Sequence, residues 1–401
     1  MTHSFDRAFL AELTALRHDL HAHPELGFQE TRTAEIIARE LKRYGLEVQR
    51  GLAQTGMVGV LRAGSGTRMI GLRADMDALP IEEQNRFSHR SVHPGCMHAC
   101  GHDGHTAMLL GAARYLAEHP AFDGVVAFIF QPAEESERGS EGGAKAMIDD
   151  GLFKRFPVEA VYGLHNWPDL PLGTMAVHPG AVMAGSCPLE IRIHGKGCHA
   201  AMPHRGIDPI AAAAQLMMAL HTIGSRELSP LDSSVISITK VLAGSTWNVI
   251  PDEAILGGTV RSFHTAVQEQ IEAAIHRICQ GIAVSTGTKI EATIERRYPP
   301  TTNSQKESGI CLAVARALLG ETNIQHDAPP AMTAEDFSYM LLEKPGCYVW
   351  LGTGEKKTRA ALHNPGYDFN DKVIPTGVAY WVSLVEAILG KPAEPPRKKR
   401  P

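Results

Sequence analysis

The sequence contains no apolar run of membrane-spanning length. Its N-terminus carries Asp6, Arg7 and Glu12 where a secretory leader would need an apolar stretch. Both absences argue against a membrane partner. Excess positive charge is missing too: 39 Lys and Arg against 44 Asp and Glu leave a formal net charge of −5, which argues against nucleic acid as the main partner. The seven cysteines, an odd number scattered over 401 residues, do not look like a disulfide framework. No internal repeat is present. A cytoplasmic, reduced protein is the simplest expectation. Hydrophobic content of 44% and charged content of 21% suit a soluble globular chain. Its length is too great for one small core and predicts two domains, or one interrupted domain.

What is there is concentrated in Met97-His98-Ala99-Cys100-Gly101-His102-Asp103-Gly104-His105-Thr106, which gathers a thiol, three imidazoles and a carboxylate around two glycines. Thiolate and neutral imidazole bind borderline-soft divalent metals well. On a helix Cys100 and His102 would face different ways. In a loop entering a helix they can converge, with Gly101 and Gly104 allowing close backbone approach. Two donors alone would fit a structural zinc loop, which needs four, so the remaining donors decide the matter.

Periodicity predicts helices over 5–21, 31–44 and 106–118, and strands over 46–50, 56–61, 69–73, 125–130 and 160–164. His18, His21 and His23 read as a helix end before Pro24, where the dipole favours histidine. Val125 to Phe130 is continuously apolar, as in a strand buried on both faces. Strands alternating with helices predict an α/β fold whose central sheet is mixed and largely parallel. Ligands collect at the carboxyl ends of such strands, where Asp75, Glu134, Glu135 and His165 fall. From Ala184 the pattern becomes β-α-β-β-α-β, a split βαβ (ferredoxin-like) unit. The expected layout is a catalytic domain over 1–183 and 298–391, interrupted by an inserted α+β domain over 184–297, with a disordered basic tail at 392–401. An exposed strand edge in the inserted unit makes it the expected dimerisation domain.

The adjacent Glu134 and Glu135 follow the buried strand directly. Neighbouring extended residues point different ways, so one can bind metal while the other faces water, the division that metal-assisted hydrolysis requires. A solvated acidic loop is the competing reading for the pair alone. A lone histidine such as His363 carries little weight by itself; its place in Leu362-His363-Asn364-Pro365, late in the catalytic sheet, adds it to the set. Cys100, His102, Glu135, His165 and His363 make five candidate ligands, which fits two metals better than one.

These motifs, in this order, resemble the metal-dependent aminoacylases and hippurate hydrolases, which share ancestry with bacterial carboxypeptidases and plant auxin-conjugate hydrolases. The resemblance covers nearly the whole chain. It rests on Gly71 to Pro80, His98 to His105, Gln131 to Glu135, Gly163 to Asn166, Gly195 to His204 and Leu362 to Pro365. It implies two divalent ions (zinc, manganese, cobalt or nickel) on the five ligands, and Glu134 as general base and then proton donor to the leaving amine. Many distant relatives have a metal-binding histidine where this chain has Arg73. That departure marks the hippurate hydrolase branch, and leaves Asp75 either orienting the site or serving as a buried partner of Arg73. In the inserted domain the resemblance implies that His199 steadies the substrate carbonyl, from the partner subunit of a homodimer; the alternative is that hinge closure brings the chain's own His199 over its own metals. It also implies that Asn248 and Arg261 contact the substrate's free carboxylate, against a simple sheet-surface ion pair for Arg261. The expected reaction is hydrolysis of an N-acyl amino acid to a carboxylic acid and a free amino acid. The alternatives are a dipeptidase or carboxypeptidase using the same chemistry, and a metal-binding protein without catalysis.

Overall fold

The computed structural model describes residues 3–135, 142–355 and 360–390. The basic tail expected at 392–401, and the end of the acidic loop at 136–141, lie outside the described residues. A seven-stranded sheet organises the chain, in the spatial order Glu47–Leu52, Gly56–Ala63, Gly124–Gln131, Met69–Asp75, Ala160–Pro171, Gly346–Gly354, Met175–Val177. The four strands from Gly124–Gln131 to Gly346–Gly354 run parallel, and antiparallel strands flank them on both sides. Every residue of Met69–Asp75 and Gly124–Gln131 is buried. Along the second strand Val126, Phe128 and Phe130 enter one core, and Val125, Ala127 and Ile129 enter the other. That doubly buried alternation is why the run reads as continuously apolar rather than as alternating polarity.

One face carries the helices Arg7–Ala22, Thr31–Arg43, His102–Glu118, Gln305–Leu319 and Ile374–Leu389. The other carries Gly142–Asp149 and Phe337–Glu343. One expectation about apolar runs needs correcting. Residues 371–389 form a helical stretch long and apolar enough to cross a membrane by length and composition, with mean hydropathy 1.3. It is instead a core helix, with Val378, Tyr380, Trp381, Val382, Leu384 and Val385 packed against the sheet layer.

The second sheet has four antiparallel strands in the order Ser234–Ala243, Glu253–Ser262, Gly185–His194, Lys289–Ile294. The helices Pro209–Leu220 and Thr265–Thr286 pack against it through Leu189, Ile191, Ile193, Leu216, Leu256 and Ile271. Element order and pairing are those of the split βαβ. The chain leaves the first sheet region after Met183 and returns at Thr301–Asn303, which pairs with Gly180–Met183.

Candidate active site

The helix His102–Glu118 begins four residues earlier than periodicity indicates. Gly101 has φ 93°, a left-handed conformation that starts the helix at His102 and leaves Cys100 just outside it. A Cβ at Gly101 would come within 2.2 Å of Asn166 Oδ1. The turn therefore turns Cys100 and His102 toward one point. The helix is fixed from behind by Asp103, which meets His21 Nδ1 at 2.8 Å and Arg17 Nε at 3.2 Å, all three buried. His21 thus ties the first helix to the metal-motif helix.

His102 Nδ1 faces two oxygens of Asp77, the carbonyl at 3.0 Å and Oδ1 at 3.1 Å, so this nitrogen carries the proton and Nε2 points inward. His165 is arranged alike: Nδ1 lies 2.6 Å from the Asn166 carbonyl, and Nε2 lies 3.4 Å from Cys100 Sγ. His165 sits inside its strand, which continues to Pro171, and not at its end as the sequence suggests. The extension is held by pairing to Gly346–Gly354 and by Trp167 stacked on Trp350 at 3.9 Å.

Glu134 and Glu135 follow the strand through a turn rather than an extension of it, because Ala133 takes φ 49°. The turn, and not strand alternation, separates the two carboxylates. Glu135 meets His363 Nε2 at 2.8 Å, and its amide donates to Asp77 Oδ2 at 2.8 Å. His363 itself has φ 62°, and its amide donates to the Ala99 carbonyl at 2.8 Å. Glu134 is buried and pairs with no cation among the described residues. The donor atoms of Cys100, His102 and His165 lie within 4.8 Å of one another. So do those of Cys100, Glu135 and His363, and those of His102, Glu134 and Glu135. A cavity of about 240 Å³ opens on them, walled by Trp167, Met183 and Leu362.

Burial, and then the charges of Glu335 and Glu135, push the Glu134 carboxyl well above the ordinary range. Burial works the same way on Glu135, but the bond and charge of His363 outweigh it and hold Glu135 low. Burial and the nearby Glu135 and Glu134 raise the Cys100 thiol. Burial opposes a charge on His102, yet Asp75 and Asp77 bring it up to about 10. A cluster that retains a proton this firmly is anionic enough to attract a cation. His102 Nε2 is buried with no hydrogen-bond partner. Orphaned imidazole nitrogen, thiol and carboxylate at one point are a donor set that fits a divalent metal.

Asp75 is a buried partner of Arg73, one of the two sequence readings, and it also meets His105. Its Oδ2 binds Arg73 at 2.7 Å, and its Oδ1 lies 2.6 Å from His105 Nδ1. Arg73 is fully buried and also meets Glu335 at 2.8 Å, Asp336 at 3.1 Å and Gln131 at 2.8 Å. Sequence reading missed Glu335, Asp336 and the supporting role of Asp77. A usable signal existed for Asp77: it stands two residues beyond Asp75 in Ala74-Asp75-Met76-Asp77, the spacing of a shared strand face.

The inserted-unit residues are placed differently. His199 pairs with Val249 in a two-stranded ladder, and Ala200 N donates to the Asn248 carbonyl at 2.9 Å, so His199 and Asn248 are neighbours. Both are exposed, and neither they nor Arg261 line the cavity. Arg261 is half-buried and donates to Thr259 Oγ1 at 3.1 Å. It has no ion pair among the described residues.

The model of peptidase family M20/M25/M40 matches residues 71–387. The chain belongs to that family. It is 40% identical over 373 residues to the hippurate hydrolase of Campylobacter jejuni, covering 93% of this chain and 95% of that one. It is 38% identical over 389 residues to an N-acetylcysteine deacetylase of Bacillus subtilis, covering 96% and 98%. The crystal structure of a dinuclear metal-binding M20 peptidase from Bacillus subtilis superposes with a TM-score of 0.84 at 35% identity, over 96% of this chain and 99% of that one. This M20-family chain is accordingly a metal-dependent amide hydrolase.

Proposed function

We propose that the protein hydrolyses N-acyl amino acids to a carboxylate and a free amino acid, with two divalent ions held by Cys100, His102, Glu135, His165 and His363. Bound metal would supply Lewis acidity toward the scissile carbonyl and toward water. The chain's own residues do the rest. Asp77 and the Asn166 carbonyl fix the tautomers that aim His102 and His165 inward. Asp75 steadies His105 and the buried Arg73. Glu134 takes the proton of the attacking water and returns it to the leaving amine. The observation that carries this reading is the contrast between adjacent carboxylates. Glu135 is engaged by His363, while Glu134 is buried, raised and unpaired by any described cation. A metal-binding protein without catalysis has no use for such a group.

His199, Asn248 and Arg261 complete substrate binding in this reading, the first at the carbonyl and the other two at the free carboxylate. Among the described residues the strand Ser234–Ala243 is bonded along one side only, and Val241 and Leu242 are 52% and 49% exposed on its outer half. Pairing of two such edges would form a symmetric homodimer in which His199 serves the partner's metals. Refolding Glu134→Gln together with His199→Ala separates the possibilities. Recovered hydrolysis supports sharing between subunits, and no recovery in proven mixed dimers means that each chain uses its own His199. All seven cysteines are free, which suits a cytoplasmic setting.

The test of the function is a panel of N-acyl amino acids and dipeptides assayed after chelation and after return of zinc, manganese, cobalt or nickel. Amino-acid release should be strongest from N-acyl amino acids, vanish on chelation and return with metal. Full hydrolysis by protein shown to be metal-free would overturn the reading, and a preference for dipeptides would move it to a peptidase.

A further inference from the structure

The chain passes between the two sheets twice, outward at Ala184 and Gly185 and back through 295–300. The two passages are bonded to each other: Ser186 N donates to the Tyr298 carbonyl at 2.8 Å, and Tyr298 N donates to the Ser186 carbonyl at 3.1 Å. From this crossing the buried Tyr298 side chain extends toward the metal-motif half. Its hydroxyl donates to the backbone carbonyl of Glu134 at 2.8 Å and accepts from the Arg297 guanidinium at 3.3 Å.

Glu134 needs such an anchor. The strand before it ends at Gln131, Pro132 has no N–H to donate, and Ala133 is left-handed. Among the described residues the turn is also held by Ala133 N to Glu30 Oε1 at 2.8 Å, Glu135 N to Asp77 Oδ2 at 2.8 Å, Gly143 N to the Ala133 carbonyl at 2.9 Å and Gln131 Nε2 to the Pro132 carbonyl at 3.3 Å. All four come from the half of the molecule that carries the seven-stranded sheet. Tyr298 alone among these anchors belongs to the crossing. A cleft of about 350 Å³ lies against the crossing, lined by Cys187, Ser262 and Arg296 on one side and Tyr339 and Leu342 on the other. Tyr298 also lines it, with the Arg297 guanidinium over its ring at 4.8 Å and the Tyr339 ring edge-on at 6.3 Å.

We propose that Tyr298 is a positioning residue that joins the crossing between the two sheets to the aim of the Glu134 carboxylate. The placement of the inserted unit, which carries His199, Asn248 and Arg261, and the aim of the base are thereby set together. The inference rests on Glu134 as the base in the function proposed above. A small misplacement of a base costs rate more than affinity, because the lost interaction belongs to the transition state.

Tyr298→Phe keeps the ring and removes only the hydroxyl. In the metal-loaded enzyme kcat should fall about 10-fold, the scale of one lost buried hydrogen bond, with KM changed less than about two-fold. Metal content by elemental analysis should be unchanged. Hydrogen exchange of peptides covering 131–135 should quicken in this variant. Tyr339→Phe is the control. Its hydroxyl donates to the Arg297 carbonyl in the same crossing, with no described bond to residues 131–135, and it should leave kcat and exchange at 131–135 near wild type. An unchanged kcat and unchanged exchange in Tyr298→Phe would overturn the proposal. So would equal effects in both variants, or a rate loss explained by lost metal. If the wild type hydrolyses no N-acyl amino acid, yet exchange quickens only in Tyr298→Phe, the anchoring stands and the functional reading falls.

Discussion

The two halves of the proposed site are built on opposite principles. Cys100, His102 and His165 are buried, Glu135 is partly so and His363 is exposed, and second groups hold three of them: Asp77 behind His102, the Asn166 carbonyl behind His165, and the Ala99 carbonyl at the His363 backbone. His199, on a two-residue ladder, and Asn248 beside it are exposed and hold no described contact with the metal motif. In the proposed reading, chemistry that needs fixed donors within about 0.5 Å sits where packing enforces most of the geometry, and the proposed substrate contacts sit where the surface can still meet a ligand.

The contrast breaks most visibly at the paired glutamates. Glu134→Gln should lose roughly 10²- to 10⁴-fold in kcat while retaining metal. Glu135→Gln should lose metal itself. Elemental analysis beside kinetics checks this, and two variants with the same phenotype would contradict the division of roles. The next largest effect is on stability. Arg73→Leu strands Asp75, Glu335 and Asp336 together in the core and should destabilise by about 3–5 kcal/mol, read from denaturant unfolding. An exposed counterpart such as Arg50→Leu, whose partner is the exposed Glu35, should leave the unfolding curve close to wild type.

Asp77→Ala should weaken metal binding about 10- to 100-fold, measured by competition with a chromogenic chelator. A further test uses pH. Burial, and then the charge of Asp77, raise Glu30 from 4.5 to about 7. The folded state therefore binds this proton more tightly than the unfolded state does. The stabilising contribution is complete below pH 4.5 and is lost as pH climbs toward 7, by about 3 kcal/mol at most. Glu30→Gln should flatten that decline in unfolding free energy, and an unchanged slope between those pH values would count against the assignment. The smallest effect is expected on the exposed side. Arg261→Ala should narrow the preference for a free-acid substrate over its methyl ester, and an unaltered preference removes Arg261 from the binding site.

Local order in this protein was legible without coordinates wherever burial imposes a repeat. Val125 to Phe130 announces a strand with a core on each face, and the change of pattern at Ala184 announces the inserted unit. Donor types are legible as a set: Cys100 and His102 beside Gly101 and Gly104, with Glu135, His165 and His363 in later strands and loops, make five candidate ligands, although no one of them carries the reading alone. What periodicity cannot contain is a bond between distant segments. Arg73 and Glu335 are 262 residues apart, and Tyr298 and Glu134 are 164 apart, so no spacing rule could pair them. The double contact of Asp75 with Arg73 and His105 and the left-handed turn at Ala133 likewise exist only once distant segments share one buried volume. There an unpaired charge costs several kcal/mol, and each polar atom must find its partner wherever the fold brings one.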